Sequence, residues 1–212
     1  INRFDNSLHY MDEQIGRLLS YLEQAGELEQ TLIIVSTDHG EAFFDKGMVT
    51  HGKTLYEFET RVPIVLYWPG QIAPEARDEP VSHLDILPTV IDYLQLPPHP
   101  AFQGRSFRTP DPAGVGQHAM FMNIQGLRFA DGVVCWPYKL VLDRTSSLQF
   151  LFDLSRDPAE EHNLIESHPE VVRRLADTLS QQLLAQLDYH RSGSTLPKER
   201  YQPRLRRCPA LP

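Results

Sequence analysis

Thr31–Gly70 reads TLIIVSTDHGEAFFDKGMVTHGKTLYEFETRVPIVLYWPG. Two short apolar runs, Thr31–Thr37 and Val62–Trp68, bracket a polar loop. Leu32, Ile33, Ile34 and Val35 are apolar without alternation, which predicts a strand covered on both faces. The second run ends at Pro69-Gly70 and reads the same way. The loop gathers Asp38, His39, Glu41, His51 and Lys53 just beyond the first strand. In open parallel α/β sheets, ligands bind outside the carboxyl ends of the strands, so the chemistry is expected here.

Upstream, Phe4, Leu8, Met11, Ile15, Leu18, Leu19 and Leu22 recur at steps of three and four. That spacing predicts one apolar stripe of a helix, with Asn2 or Asp5 as its cap and Gly26 past its end. Gly16, inside the stripe, is read as a mark of close approach to a strand. A helix followed by a buried strand is a piece of a doubly wound sheet. Downstream, VSHLDILPTVIDYLQL (residues 81–96) predicts a second helix, with Pro88 in its first turn and His83 and Asp85 as caps.

Residues 97–117 are rich in proline and glycine and read as loop. Past them the pattern changes. Val133–Leu142 and Leu148–Leu154 predict an antiparallel hairpin turning at Asp143-Arg144-Thr145-Ser146, with Leu127–Ala130 as a third strand. Val172, Leu175, Leu179, Leu183 and Leu184 predict a helix over Pro169–Leu187 that covers one face of it. The fold class is therefore α/β: part of a doubly wound, mainly parallel sheet flanked by helices, followed by a small antiparallel sheet with a C-terminal helix. The expected organisation is an α/β core over 1–117, a small α+β subdomain over 118–188 and a basic, proline-containing tail over 189–212.

The 212 residues are 41% hydrophobic and 23% charged, ordinary for a globular protein with a real core. No apolar run approaches the roughly 18 residues of a membrane span, and no signal-peptide pattern opens the chain. Ile1 is not an initiator methionine, so the chain is expected to be a piece of a longer protein. The net charge of −8 hides an asymmetry. Residues 1–188 carry 14 basic and 27 acidic side chains, a formal −13, whereas 189–212 carry six basic and one acidic. An acidic body excludes nucleic acid as the natural partner. The tail reads as a solvated end, with weak attraction to anionic lipid as its other use. Cys135 and Cys208 are too few and too far apart for a disulfide framework or a cysteine metal site, and leave the compartment open.

Asp38 and His39 offer a carboxylate and an imidazole to a divalent metal, and Gly40 allows the turn this needs. His51 and Lys53 bring cations to the same loop. The lysine suits charge developing on a sulfate or phosphate oxygen, and the histidine suits a general acid or a further ligand. Glu41 and Glu57 are read as structural, bonding backbone amides or pairing with Arg61.

These residues carry a resemblance. LIIVSTDHG (32–40), HGKTLYE (51–57), RVPIVLYWPG (61–70), VSHLDILPTVIDYL (81–94), YKLVL (138–142) and LFDLSRDPAEEHNL (151–164), in that order, resemble the C-terminal portion of the sulfatase family, within the alkaline-phosphatase superfamily. The resemblance covers about residues 1–187. It implies a sulfuric ester hydrolase in the full-length protein, with Asp38 and His39 as metal ligands and Lys53 as a contact to the ester's anionic oxygens. His51 is assigned to catalysis beside Lys53. Many sulfatases have Asn where this chain has His39. An all-oxygen set suits calcium, whereas an imidazole favours zinc or manganese.

The DHGE form, with a second histidine twelve residues on, also resembles lipid phosphoethanolamine transferases and phosphonate monoester hydrolases, which keeps phosphate esters beside sulfate esters as substrates. The family's nucleophile, a formylglycine made in a C/S-x-P-S-R motif, has no counterpart here, since Cys135 precedes Trp-Pro-Tyr. The expected partners are a small-molecule, lipid or glycan ester and the missing N-terminal half of the same protein, with membrane contact only through absent segments or the basic tail. The fragment alone is expected to bind metal weakly and not to hydrolyse. Family habit implies an extracytoplasmic, periplasmic or membrane-anchored location. A sulfatase-like ectodomain that binds lipid without catalysis is the reading from a different class.

Overall fold

A computed structural model describes residues 2–109, 117–126, 128–192 and 207–212. The chain divides into two compact units, Ile1–His51 with Phe58–Arg77, and Gly52–Glu57 with Asp78–Pro212.

In the first unit, helix α1 spans Asn2–Gln24. It ends in a Schellman closure: Gly26, at φ +71°, donates to the Glu23 carbonyl, and Glu27 N–H donates to the Leu22 carbonyl. The apolar stripe is real, but only part of it is covered. Ile15, Leu19 and Leu22 are half-buried, while Leu8, Met11 and Leu18 stay exposed and Phe4 meets Phe43 edge-on at 4.7 Å. No heavy atom would lie within 4 Å of a Cβ at Gly16, so its reading as a point of strand contact is corrected.

Strand β1, Ile33–Ser36, pairs with β4, Ile64–Tyr67, in the register Ile33↔Tyr67 to Ser36↔Ile64. The pairing is antiparallel, which corrects the parallel reading for these two strands. The connection between them carries a ribbon of β2, Ala42–Phe43, and β3, Val49–Thr50, and the four-residue helix α2, Glu57–Thr60. No crossover helix of the kind a parallel pair requires lies in that connection. Burial on both faces is corrected as well. Val35 and its cross-strand partner Val65 are both exposed, with Tyr67 on the same face, whereas Ile34, Leu66 and Ile64 on the other face are half-buried.

The second unit is built on a four-stranded antiparallel meander, β5 Met120–Gln125, β6 Phe129–Cys135, β7 Tyr138–Asp143 and β8 Leu148–Asp153. The hairpin turning after Asp143 is where the pattern puts it. The expected single strand Val133–Leu142 is two strands, because proline at 137 cannot donate to a ladder and the chain turns at Trp136-Pro137. β6 takes the place of the expected third strand, Leu127 lies outside the described residues, and β5 is an element the sequence reading lacked.

Helix α4, Pro169–Ser192, covers one face: Val171, Leu175 and Leu179 pack with Val133, Cys135, Leu140 and Leu151. The opposite face takes Leu55, against Ala130 and Val141, and Tyr56, beside Val134, Phe152 and Leu154. Both faces of the sheet are thus occupied, which is why β6 is apolar at nearly every position.

Helix α3, Ile86–Tyr93, follows a 3-10 turn at His83–Asp85. The expected capping of α3 by Asp85 is corrected: its carboxylate makes no cap hydrogen bond to that helix and instead closes a capping box with Ser82 on the 3-10 turn. One carboxylate oxygen accepts the Ser82 N–H at 2.8 Å and the other the Arg105 N–H at 2.7 Å.

Cys135 and Cys208 form a disulfide, against the expectation that they stand apart. Their separation of 73 residues hid the pairing, because only the return of the chain to β6 brings the two together. Residues 207–212 are correspondingly not a solvated end. Arg207 bridges to His118, Cys208 N–H donates to the Gln117 carbonyl at 2.7 Å, and Arg174 donates to the Ala210 carbonyl. Residues 189–192, expected in the tail, belong to α4, and 193–206 lie outside the described residues. No helix among the described residues is long and apolar enough to cross a membrane.

Closing a loop of this length contributes on the order of 4 kcal/mol in the chain-entropy account. Cys208→Ser is expected to lower the thermal midpoint by several degrees and to speed amide exchange over residues 207–212. An unchanged midpoint with unchanged exchange there would show that the bridge does not hold this segment.

Candidate active site

β1 delivers the chain to Thr37, and hydrogen bonds to β4's approach and to near neighbours shape the turn through Asp38 and His39. Ser36 Oγ donates to the Pro63 carbonyl at 2.9 Å, and Thr37 Oγ1 donates to the His39 carbonyl at 2.9 Å. Asp38 Oδ1 accepts the His39 N–H at 3.1 Å. The Asp38 carboxyl is held below the usual carboxylate range, first by its own backbone N–H and then by the neighbouring His39 imidazole. Its side chain is 88% exposed, so the carboxylate stays charged and open to a ligand.

Gly40 N–H donates to the Glu59 carbonyl at 2.9 Å. A Cβ at residue 40 would overlap the Phe58 carbonyl, so glycine is needed for this close approach. The turn after His39 is therefore set by backbone contact with 58–59.

Both histidines have defined tautomers. His39 Nδ1 lies 2.8 Å from the Gly40 carbonyl, and His51 Nδ1 lies 3.1 Å from Glu41 Oε2. Carbonyl and carboxylate oxygens only accept, so each Nδ1 carries a proton and each Nε2 is left for another partner. Holding Nδ1 in this way is the usual means of orienting a metal-binding or proton-transferring imidazole. The two rings stand 4.1 Å apart at 33°.

Glu41 is the residue the sequence reading missed. Read as a structural carboxylate bonding backbone amides or pairing with Arg61, it instead orients His51. The ribbon register Ala42↔Thr50 sets the two residues opposite each other at its open end. Strands of two residues leave no alternation to read, so the only available signal was the Glu directly after Asp-His-Gly. Thr50 has φ +68° and Gly52 φ +76°, so the chain is left-handed on both sides of His51. A β-branched residue in that region costs about 1–3 kcal/mol and persists only where surrounding contacts impose it.

Asp38, His39, Glu41 and His51 all lie in the first unit. Lys53, half-buried, belongs to Gly52–Glu57 of the second unit. Glu57 has a defined partner too, its Oε1 lying 2.8 Å from Lys139 Nζ.

The donor set fits a divalent cation in part. Asp38 Oδ2 and His39 Nε2 lie 3.8 Å apart, and Glu41 Oε1 is buried with no hydrogen-bond partner among the described residues. No group of three or more His, Cys, Asp or Glu among the described residues is already arranged around a common point. The chain therefore offers part of a coordination sphere.

Comparison with known proteins bears on what such a site serves. A family model described as Sulfatase matches residues 1–96. The uncharacterized sulfatase YidJ of Escherichia coli K12 is 32% identical over 186 residues, covering 85% of this chain and 36% of that protein. The structure of BT4656 in complex with its substrate D-glucosamine-2-N,6-O-disulfate superposes at a TM-score of 0.63 with 24% identity, covering 90% of this chain and 40% of that one. A phosphonate monoester hydrolase from Silicibacter pomeroyi shares the fold at a TM-score of 0.64 and 21% identity, over 91% of this chain and 43% of that one. The chain spans between about a third and under half the length of the curated relatives it matches first.

Gly40→Ala is expected to cost about 1–3 kcal/mol, because the 58–59 backbone must move to admit the methyl group. Thermal unfolding checks this, and a wild-type midpoint would mean that the turn after His39 adapts freely.

Proposed function

The chain belongs to the sulfatase family, and from that premise we propose that it supplies part of the active site of a metal-dependent hydrolase acting on sulfate esters. The observation that carries this reading is the paired preparation of the two histidines. Each has its Nδ1 proton committed to an oxygen and its Nε2 left for a ligand or a transferred proton, beside the open carboxylate of Asp38.

In this reading Asp38 and His39 Nε2 hold a divalent cation, with zinc or manganese favoured by the imidazole and calcium the ion of the all-oxygen sites. The cation, when bound, supplies Lewis-acid polarisation of the ester and lowers the pKa of the nucleophile. His51, oriented by Glu41, acts as an acid from its doubly protonated ring, Nε2–H passing its proton to the leaving oxygen while Nδ1–H stays bonded to Glu41. Lys53 neutralises charge on the non-bridging ester oxygens. The nucleophile implied by the resemblance, a formylglycine, is assigned to sequence outside these 212 residues, since they carry no C/S-x-P-S-R motif. The complex of BT4656 with a sulfated glucosamine makes sulfated glycans the substrates to try first.

A phosphate or phosphonate ester is the second reading. The imidazole of His39 in place of the usual amide favours it, and the fold shared with the phosphonate monoester hydrolase accords with it. Placement outside the reducing cytosol is supported by the Cys135–Cys208 disulfide, because such bridges persist in oxidising compartments.

Two measurements test these assignments in the full-length protein. Lys53→Ala is expected to lower turnover of an aryl sulfate at least 100-fold with the circular dichroism spectrum unchanged, and wild-type turnover would remove Lys53 from the mechanism. Titration calorimetry with manganese or zinc is expected to show binding that Asp38→Ala and His39→Ala each weaken at least tenfold. Equal affinity in both variants would mean that the cation sits elsewhere.

A further inference from the structure

Lys139 takes no part in the proposed ester chemistry, yet its side chain is fully buried in the second unit. It sits on β7 beside Val134 of β6 and Phe152 of β8, on the face that Leu55 and Tyr56 cover. Its Nζ lies 2.8 Å from Glu57 Oε1 and 2.9 Å from Glu160 Oε1. Glu160 is 3% exposed, and its second oxygen, Oε2, accepts the backbone N–H of Glu57 at 2.6 Å. Glu160 holds this position with φ +54°, a strained conformation for a residue with a Cβ. The Lys139 ammonium and the Glu160 carboxylate thus hold both the side chain and the main chain of a single residue, Glu57.

Glu57 ends the segment Gly52–Glu57, and the rest of that segment is fastened to the same sheet. Leu55 packs with Ala130 and Val141, and the Tyr56 ring lies 6.2 Å from that of Phe150 and 5.8 Å from that of Phe152. Lys53 is two residues from Leu55 and four from Glu57. Buried ionic clusters stabilise no better than well-packed apolar residues of the same volume, so stability alone does not account for the three charges. What an ionic cluster with a backbone hydrogen bond adds is direction: it accepts one register of the segment and rejects a slide by one residue.

We propose that Lys139, Glu160 and Glu57 form a clamp that sets the position of the Gly52–Glu57 segment, making Lys139 a positioning residue for Lys53 in ester hydrolysis. The proposal rests on the assignment of Lys53 to the ester oxygens, and its test separates the two.

Hydrogen exchange on the full-length protein reads the clamp without reference to activity. In Lys139→Met the amides of 52–57 are expected to exchange at least tenfold faster, with those of β5–β8 and α4 unchanged. Unchanged exchange at 52–57, or a uniform rise across the unit, overturns the clamp. A double-mutant cycle on kcat/KM reads the consequence. Lys139→Met is expected to lower kcat/KM at least tenfold, and adding it to Lys53→Ala should cost less than a further threefold. Additive losses overturn the link to Lys53, because a lysine that only supports the fold would act independently of it. If Lys53→Ala keeps wild-type turnover, the assignment of Lys53 fails and the clamp is judged by exchange alone. If Lys139→Met does not fold, Glu57→Ala, which leaves Lys139 paired with Glu160, is measured in the same two ways with the same deciding outcomes.

Discussion

An ammonium group with no access to water has to be neutralised where it lies, and in this protein that demand falls on Lys139. Its side chain is fully buried on β7, and the carboxylates that answer it come from residues 57 and 160. Meeting the demand brings together three stretches that the chain supplies far apart, LYE, YKL and AEE. The turn after β8, which carries Glu160, has its own hydrogen bonds. Asp157 accepts the N–H groups of Glu161 and His162, and Asn163 Oδ1 accepts that of Leu151 at 2.9 Å. The charge and the packing of Leu55 and Tyr56 act on the same short segment, so a six-residue piece from the first third of the sequence is packed onto the C-terminal sheet.

The first unit is held together differently. It has one antiparallel strand pair, a two-residue ribbon and a helix whose outer apolar residues are exposed. Strand pairs of this size are marginal alone. The order around Asp38 comes instead from hydrogen bonds spanning one or two residues, from the Ser36 bond to the Pro63 carbonyl and from the contact of Gly40 with 58–59. The result is a turn in which each functional group has one atom committed to the protein and another left over. Asp38 keeps Oδ2, and His39 and His51 keep Nε2. That division is what a site for a ligand needs, and it arises here without a large core beneath it.

The histidine pair also shows why a residue's role is hard to judge in isolation. His51 is a plausible acid at sight, but its direction depends on Glu41, and Glu41 by itself looks like any surface carboxylate. The ribbon that faces them is two residues deep on each side. Left-handed backbone at Phe44, Lys46 and Thr50 shapes the loop between. None of these three is a residue type that announces such a conformation.

What the sequence by itself determined is everything encoded over a few residues. Helical spacing located α1 and α4, apolar runs located β1, β4 and the β7–β8 hairpin, and the order of short motifs identified the family. Asp38, His39, His51 and Lys53 could be read as candidates because they crowd one stretch of sequence. Only the tertiary structure decided the antiparallel sense of β1 and β4, the partner of Glu41, the Cys135–Cys208 bridge and the destination of Lys139. Strand direction depends on how a connection returns, and an apolar run looks the same in either sense. The disulfide and the lysine clamp join residues 73 and 82 positions apart, and at such separations no local preference marks one cysteine or one carboxylate over another. Those pairings are chosen by which surfaces the sheet buries, and that choice is made by the whole unit at once.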